Sequence, residues 1–173
     1  MELTTRKPNR LKEFDYSSNG AYFVTICTQD RLHLLGRIVG AGSSRPNLHP
    51  NLQISQEGKI VEQYLLRLPE KYPMIRIDKY TIMPNHIHMI LVLSGENGRE
   101  DPAPTNPTIS QIIGWFKYQT TKNINKNDII KIWQRSFHDH IIRNEQEYRE
   151  IWDYIDQNPL KWDEDCYYTY TPL

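Results

Sequence analysis

The 173-residue sequence contains few cysteines and no long apolar run. Its two cysteines, Cys27 and Cys166, are too few for a disulfide framework, and their scarcity fits a reducing cytoplasm. No segment reaches the length of a transmembrane helix, and residues 1–10 lack the apolar stretch of a signal peptide. We therefore expect a cytoplasmic protein with no membrane partner.

Several signatures of enzyme classes are also missing. The sequence has no CxxC pair, no glycine-rich phosphate loop and no GxSxG nucleophile elbow. Its net charge is zero, so composition alone does not indicate a nucleic-acid-binding protein. The charge is uneven, because residues 109–143 carry six basic and two acidic side chains and residues 144–173 carry two basic and eight acidic ones. This asymmetry is as typical of two solvated faces as of a basic binding face.

Hydrophobic periodicity predicts one domain over residues 1–173, with polar loops near 40–51 and 94–107. The predicted strands are residues 21–28, their candidate hairpin partner 31–39, and residues 74–83, 86–93 and 133–143. The predicted helices are residues 55–68, residues 108–123 after a start at Asn106-Pro107, and one from a capping box of Asn144 and Glu147 to Pro159. This order indicates an α+β fold: a ferredoxin-like two-layer sandwich with a mainly antiparallel sheet and helices on one face.

Two histidines in the segment MPNHIHMILVL are candidate metal ligands. His86 and His88 lie two residues apart in a predicted strand, so both imidazoles face the same way and can converge on one ion. From spacing alone, a chance His-x-His pair is the commoner explanation. His138 and His140 have the same spacing and are an alternative metal pair, part of an active-site rim, or an exposed strand face.

The last predicted helix carries a tyrosine and an amide on one face. Tyr154 lies off the apolar stripe, and Asn158 follows it by one helical turn. A half-buried tyrosine with a helix-terminal asparagine is the structural explanation, and a nucleophile beside a metal ligand is the functional one. The apolar stripe that should face the core consists of Tyr148, Ile151, Trp152 and Ile155.

Basic residues interleaved with aromatic ones form a candidate nucleic-acid-binding region. Cations can contact phosphates, and aromatic rings can stack on bases. Tryptophans are more often core residues, so this pattern is ambiguous. The basic residues are Lys117, Lys122, Lys126, Lys131 and Arg135, and the aromatic ones are Trp115, Tyr118 and Trp133.

Taken together, these motifs resemble the single-tyrosine transposases with a histidine–hydrophobic–histidine (HUH) motif. The resemblance is strongest to the REP-associated tyrosine transposases, and it extends over residues 22–162. The segments that carry it, in the order typical of that family, are YFVTICT with nearby Arg31, MPNHIHMIL, IWQRSFHDHIIRN and EYREIWDYIDQNPLKW.

The resemblance implies a ferredoxin-like core and a tyrosine that cleaves DNA. It implies that His86, His88 and Asn158 are metal ligands and that Tyr154 is the nucleophile. Such a nitrogen and oxygen ligand set suits Mg²⁺ or Mn²⁺. The expected substrate is single-stranded or hairpin DNA, transferred through a 5′-phosphotyrosine by a monomer or homodimer. The alternatives are a metal-dependent nuclease that uses water and a non-catalytic, domesticated nucleic-acid-binding protein.

Overall fold

The computed structural model describes residues 17–39, 51–95, 107–125 and 130–168. These residues contain a four-stranded antiparallel sheet and a separate two-stranded one. The strands are β1 (Gly20–Cys27), β2 (Gly36–Val39), β3 (Asn51–Ile54), β4 (Ile75–Ile82), β5 (His86–Leu93) and β6 (His138–Ile142). The helices are α1 (Gln56–Leu66), α2 (Leu68–Lys71), α3 (Ile109–Ile124) and α4 (Glu145–Gln157), with 3₁₀ segments at Gln29–Arg31 and Asn158–Glu164.

The larger sheet has the strand order β4-β5-β1-β6. One of its faces packs against α1 and α3 and forms the main core. The buried residues of this layer include Tyr22, Val24 and Ile26 of β1, Ile87, Met89 and Leu91 of β5, Val61 and Leu65 of α1, and Ile112 and Phe116 of α3. The predicted α+β, ferredoxin-like arrangement with a mainly antiparallel sheet is confirmed.

Helix α4 lies on the opposite face of the same sheet, so the helices are not all on one face as predicted, because the apolar stripe of α4 packs against the other side of the strands. Ile155 of α4 is buried against Ile90 and Ile142, and the rest of the predicted apolar stripe packs around these three residues. Because side chains alternate along β5, His86 and His88 lie on the α4 face while Ile87 lies in the main core. The candidate site therefore lies between the sheet and the end of α4.

The helix starts follow local hydrogen bonding. Ser55 caps α1 by accepting from the Gly58 amide at 2.9 Å. Helix α3 begins after Thr108, which forms a capping box with Gln111, rather than at the predicted Asn106-Pro107. Asn144 caps α4 as predicted, with its Oδ1 2.9 Å from the amide nitrogen of Glu147. The Glu147 carboxylate accepts from the Arg143 amide at 2.7 Å, so the return contact of the predicted capping box goes to the residue before the cap.

The prediction that residues 31–39 form a hairpin with β1 was wrong. Strand β1 is central and pairs with β5 and β6, so it has no free edge, and β2 pairs with β3 instead. The predicted strand at 133–143 is shorter, because only His138–Ile142 joins the sheet and Trp133 makes one isolated bridge to Thr28.

The predicted polar loops lie mostly outside the described residues, at 40–50 and 96–106. Within the described part of the chain, no helix has both the length and the apolar character needed to cross a bilayer.

Candidate active site and metal centre

The two histidines of β5 form a buried pair. His86 and His88 are 0% and 1% exposed, and their Nε2 atoms are 3.0 Å apart. Two ligands on adjacent corners of an octahedron with metal–ligand bonds of about 2.1 Å are separated by about 3.0 Å. The spacing of the two nitrogens therefore fits a single octahedral cation.

The outer nitrogens of both rings are held by neighbouring side chains. Nδ1 of His86 lies 2.8 Å from Oδ1 of Asn85, and Nδ1 of His88 lies 2.8 Å from Oγ1 of Thr25. The Asn85 amide is oriented by its nitrogen, which donates to the carbonyl oxygen of Tyr167 at 2.8 Å. Because an amide oxygen can only accept, Nδ1 of His86 carries the proton and its Nε2 presents a lone pair.

Both imidazoles are neutral in this environment. Burial, with a smaller contribution from the Arg31 cation, lowers the pKa of His86 to about 3. Burial and the neighbouring His86 hold the pKa of His88 well below its ordinary value. Neutral imidazole is the form that binds metals, so the pair is ready to coordinate a cation at neutral pH.

Tyr154 presents its hydroxyl to this pair from α4. The phenol oxygen lies 3.4 Å from Nε2 of His88 and 3.4 Å from Oδ2 of Asp165. The ring packs edge-on against Phe23, with ring centroids 6.0 Å apart, and the residue is 42% exposed. Burial and the Asp165 carboxylate raise the pKa of Tyr154 above its ordinary value, so the phenol is protonated at neutral pH.

Asn158 and Asp165 complete the polar cluster. Nδ2 of Asn158 donates to Oδ2 of Asp165 at 2.5 Å, whereas the buried Oδ1 of Asn158 has no hydrogen-bond partner among the described residues. The ligand atoms of His86, His88 and Asp165 all lie within 4.8 Å of one another. A buried amide oxygen without a partner, beside two neutral imidazoles and a carboxylate, fits a divalent cation.

The structure thus brings together His86, His88, Tyr154 and Asn158, and it adds Asp165. Asp165 lies in an acidic stretch, residues 163–165, in which no spacing rule distinguishes it. The 3₁₀ helix Asn158–Glu164 directs the chain back over the sheet and places Asp165 beside the imidazoles. Tyr167 was not predicted as a site residue either, and its ring centroid lies 4.7 Å from that of His86.

The second histidine pair lies apart from this cluster. His140 is exposed, and its Nε2 is 2.6 Å from Oε1 of Glu147 in the cap of α4. His138 is exposed at the rim, with its ring centroid 6.4 Å from that of Tyr167. Within the described ranges, neither residue belongs to a group of three candidate ligands.

Four of the five candidate DNA-binding cations lie around one groove. Lys117, Lys122, Lys131 and Arg135 line this groove, which has a volume of about 490 Å³. Lys126 lies outside the described residues. Lys117 is held against the protein, because its Nζ donates to the carbonyl oxygens of Gln134 at 2.9 Å and Ser136 at 2.8 Å.

The chain is similar to known proteins both in sequence and in fold. No protein-family model matches the chain. An uncharacterized protein of Haemophilus influenzae is 35% identical over 176 aligned residues, which cover 94% of this chain and 93% of that protein. A Haemophilus influenzae protein named "Putative REP-associated tyrosine transposase" is 27% identical over 149 residues, covering 85% of this chain and 74% of the relative.

Among solved structures, a REP-associated tyrosine transposase bound to a REP hairpin has the same fold. The TM-score is 0.61 at 23% sequence identity, and the match covers 88% of this chain and 74% of that one. The chain belongs to one family with the uncharacterized Haemophilus influenzae protein, and its predicted relationship to the REP-associated tyrosine transposases is confirmed by similarity in sequence and in fold.

Proposed function

We propose that the protein is a metal-dependent DNA strand transferase of the transposase type, with Tyr154 as its single nucleophile. The observation that carries this proposal is the 3.4 Å distance between the Tyr154 hydroxyl and Nε2 of His88, one of two buried, neutral imidazoles. A nucleophile beside a candidate metal centre is the arrangement needed for covalent phosphoryl transfer. Similarity to tyrosine transposases supports a transposase-like role in DNA processing.

The proposed ligands are Nε2 of His86, Nε2 of His88, Oδ1 of Asn158 and the carboxylate of Asp165. The carboxylate adds a negative charge to ligands that are otherwise neutral, and mixed nitrogen and oxygen donors suit Mg²⁺ or Mn²⁺. When bound, the ion would polarise the scissile phosphate and lower the pKa of the nearby phenol.

The covalent step uses groups of the chain itself. Oδ2 of Asp165 lies 3.4 Å from the phenol oxygen and orients the half-exposed hydroxyl, which loses its proton to solvent. The Tyr154 oxygen then forms a bond to phosphorus as the bond from phosphorus to the 3′ oxygen breaks, and the leaving oxygen takes up a proton from solvent to become a 3′-hydroxyl. The product is a 5′-phosphotyrosine. Attack by a 3′-hydroxyl reverses these bond changes, so strands are rejoined without ATP.

The proposed substrate is a single strand of DNA folded into a hairpin. The related transposase structure contains a REP hairpin, which supports this class of partner. With zero net charge, the protein should bind random duplex DNA weakly, because non-specific affinity comes mainly from phosphate neutralisation.

The test is incubation of labelled hairpin DNA with the protein and Mn²⁺, followed by a denaturing gel. A strand transferase leaves a covalent protein–DNA adduct that disappears in Tyr154→Phe. Cleaved fragments without an adduct would instead indicate a nuclease that uses water. Binding without either product would indicate a non-catalytic nucleic-acid-binding protein.

A further inference from the structure

The groove between α3 and the chain that leads into β6 has basic and aromatic walls. Tyr118 and Lys122, one turn apart on α3, form one wall, and Lys131 and Arg135 lie on the other. The buried Trp133 contributes to its floor. None of the described residues that line it is acidic. Its volume of about 490 Å³ lies in the usual range for ligand clefts, roughly 300–1,000 Å³.

The cations at the rim are available to an anion. Lys122, Lys131 and Arg135 are exposed, and no carboxylate in the described part of the chain pairs with them. By contrast, Arg76 and Arg149 each form an ion pair with a nearby carboxylate. In a protein of zero net charge, three cations around one groove, none of them paired with a described carboxylate, create a local preference for phosphate.

Tyr118 gives the groove a surface for a nucleobase. Its side chain is 62% exposed, although aromatic rings of this size are usually at least half buried. An exposed ring flanked by cations is the combination with which proteins hold single-stranded nucleic acids, by base stacking and phosphate contact. Bases inside a duplex are already stacked and are not accessible to such a ring.

Hydrogen bonds connect the two walls of the groove. Lys117 fastens its outer wall by donating to the carbonyl oxygens of Gln134 and Ser136. Nε1 of Trp133 donates to Oγ1 of Thr120 on α3 at 2.9 Å. These contacts tie the two walls together, so little ordering is needed on binding.

The groove also leads to the candidate active site. The amide of Gln134 donates to the carbonyl oxygen of Cys27 at 3.0 Å, and Cys27 lies opposite His86 in the sheet. From Arg135 the chain reaches the site rim at His138 in three residues, a span of roughly 10 Å for extended backbone. A DNA strand that lies along this segment can therefore reach both the groove and the candidate active site.

We propose that this groove binds unpaired DNA next to the cleavage point, with Tyr118 stacking on a base and Lys122, Lys131 and Arg135 contacting phosphates. The proposal rests on the proposed function, because that function defines the DNA as substrate. The groove is the place where the unpaired strand is held. It does not hold a duplex, because the bases of a duplex are not accessible to Tyr118.

Binding is measured by fluorescence anisotropy in EDTA, where no cleavage occurs. The probe is labelled oligothymidine of about 12 nucleotides, within the ~4–16 nucleotides that comparable sites cover. Tyr118→Ala should weaken binding by about 5- to 150-fold, the effect of one stacked base, whereas Tyr118→Phe should retain affinity. The triple variant Lys122→Gln, Lys131→Gln, Arg135→Gln should make the slope of log affinity against log salt shallower by about 2.

A matched triple variant controls for charge. Lys59→Gln, Arg67→Gln, Lys71→Gln removes three exposed cations outside the groove and should leave the slope nearly unchanged. An equal change of the salt slope in the two triple variants would overturn the proposal. So would wild-type affinity in a folded Tyr118→Ala protein, or tighter binding of duplex DNA or of oligouridine.

The outcome is independent of the covalent chemistry. Absence of the adduct in Mn²⁺ with groove-dependent binding in EDTA would remove the strand-transferase function and leave the groove as a binding site. If the adduct forms and Tyr118→Ala binds oligothymidine as tightly as the wild type does, the strand-transferase function stands and the groove is not the binding site.

Discussion

The amide oxygen of Asn85 lies 2.8 Å from Nδ1 of His86 and fixes the proton of that imidazole on the side away from the site. Thr25 makes the corresponding contact with Nδ1 of His88. Residues that orient metal-binding histidines in this way contribute to affinity without touching the ion.

Thr25→Val should weaken Mn²⁺ binding about 10- to 100-fold, because the hydroxyl that orients His88 is lost while the shape of the side chain is nearly kept. Thr25 is only 3% exposed, so the change is confined to the interior. Isothermal titration calorimetry measures the affinity. The control is Thr81→Val, since Thr81 flanks His88 from β4 but donates to Sδ of Met83 instead. Equal losses in both variants would contradict an orienting role for Thr25.

His86→Ala or His88→Ala should abolish cleavage, since each removes one nitrogen of the proposed metal site. His138→Ala and His140→Ala should have smaller effects, because His140 contacts Glu147 and His138 lies at the rim. The gel assay with Mn²⁺ compares all four variants. Full activity in a His86→Ala, His88→Ala double variant would reject the metal assignment.

Much of this arrangement could be predicted from periodicity. Alternation along β5 predicts that His86 and His88 share a face, and helical spacing predicts that Tyr154 and Asn158 do. These rules act within one element, so they do not depend on how the chain packs.

Features that depend on tertiary packing could not be predicted. Asp165 reaches the site only because the 3₁₀ helix after α4 turns back and buries Trp162. Strands β2 and β3 are four residues each, and their pairing is decided by which edges remain free after β5 and β6 have flanked β1. Sequence patterns do not encode that competition between strand edges.

Because Lys117 is partly buried, the free energy of unfolding should change with pH in the alkaline range. Burial lowers its pKa from an ordinary value of 10.5 to about 8. Between these two values the unfolded chain binds more protons, so the free energy of unfolding should rise with pH. We expect a rise of about 1–2 kcal/mol relative to Lys117→Met, after allowance for solvent screening. Urea unfolding at pH 8 and pH 10.5 measures this difference, and parallel curves for the two proteins would contradict it.

Asp165→Asn should lower Mn²⁺ affinity by at least about tenfold, because it removes the negative charge beside two neutral imidazoles. Asn158→Ala should also weaken binding, since it deletes the buried amide oxygen that has no described partner. The control is Asp163→Asn, which makes the same charge change at an exposed position two residues away. If Asp163→Asn and Asp165→Asn have the same effect on calorimetric affinity, Asp165 acts only through long-range charge.

Tyr154→Phe should eliminate the covalent adduct and leave metal binding unchanged. The hydroxyl lies 3.4 Å from both Nε2 of His88 and Oδ2 of Asp165, and a displacement of about 1 Å can cost orders of magnitude in rate. Since burial and Asp165 raise the pKa of Tyr154, the phenol depends on its neighbours to lose its proton.

Tyr148→Phe is the matched control on the same helix. The Tyr148 hydroxyl donates to Oδ2 of Asp78 at 2.5 Å, so its loss should cost about 1 kcal/mol of stability and leave the adduct intact. Mass spectrometry of the trapped species then locates the nucleotide. An adduct on Tyr148, Tyr167 or any other tyrosine, or one that survives in Tyr154→Phe, would show that Tyr154 is not the nucleophile.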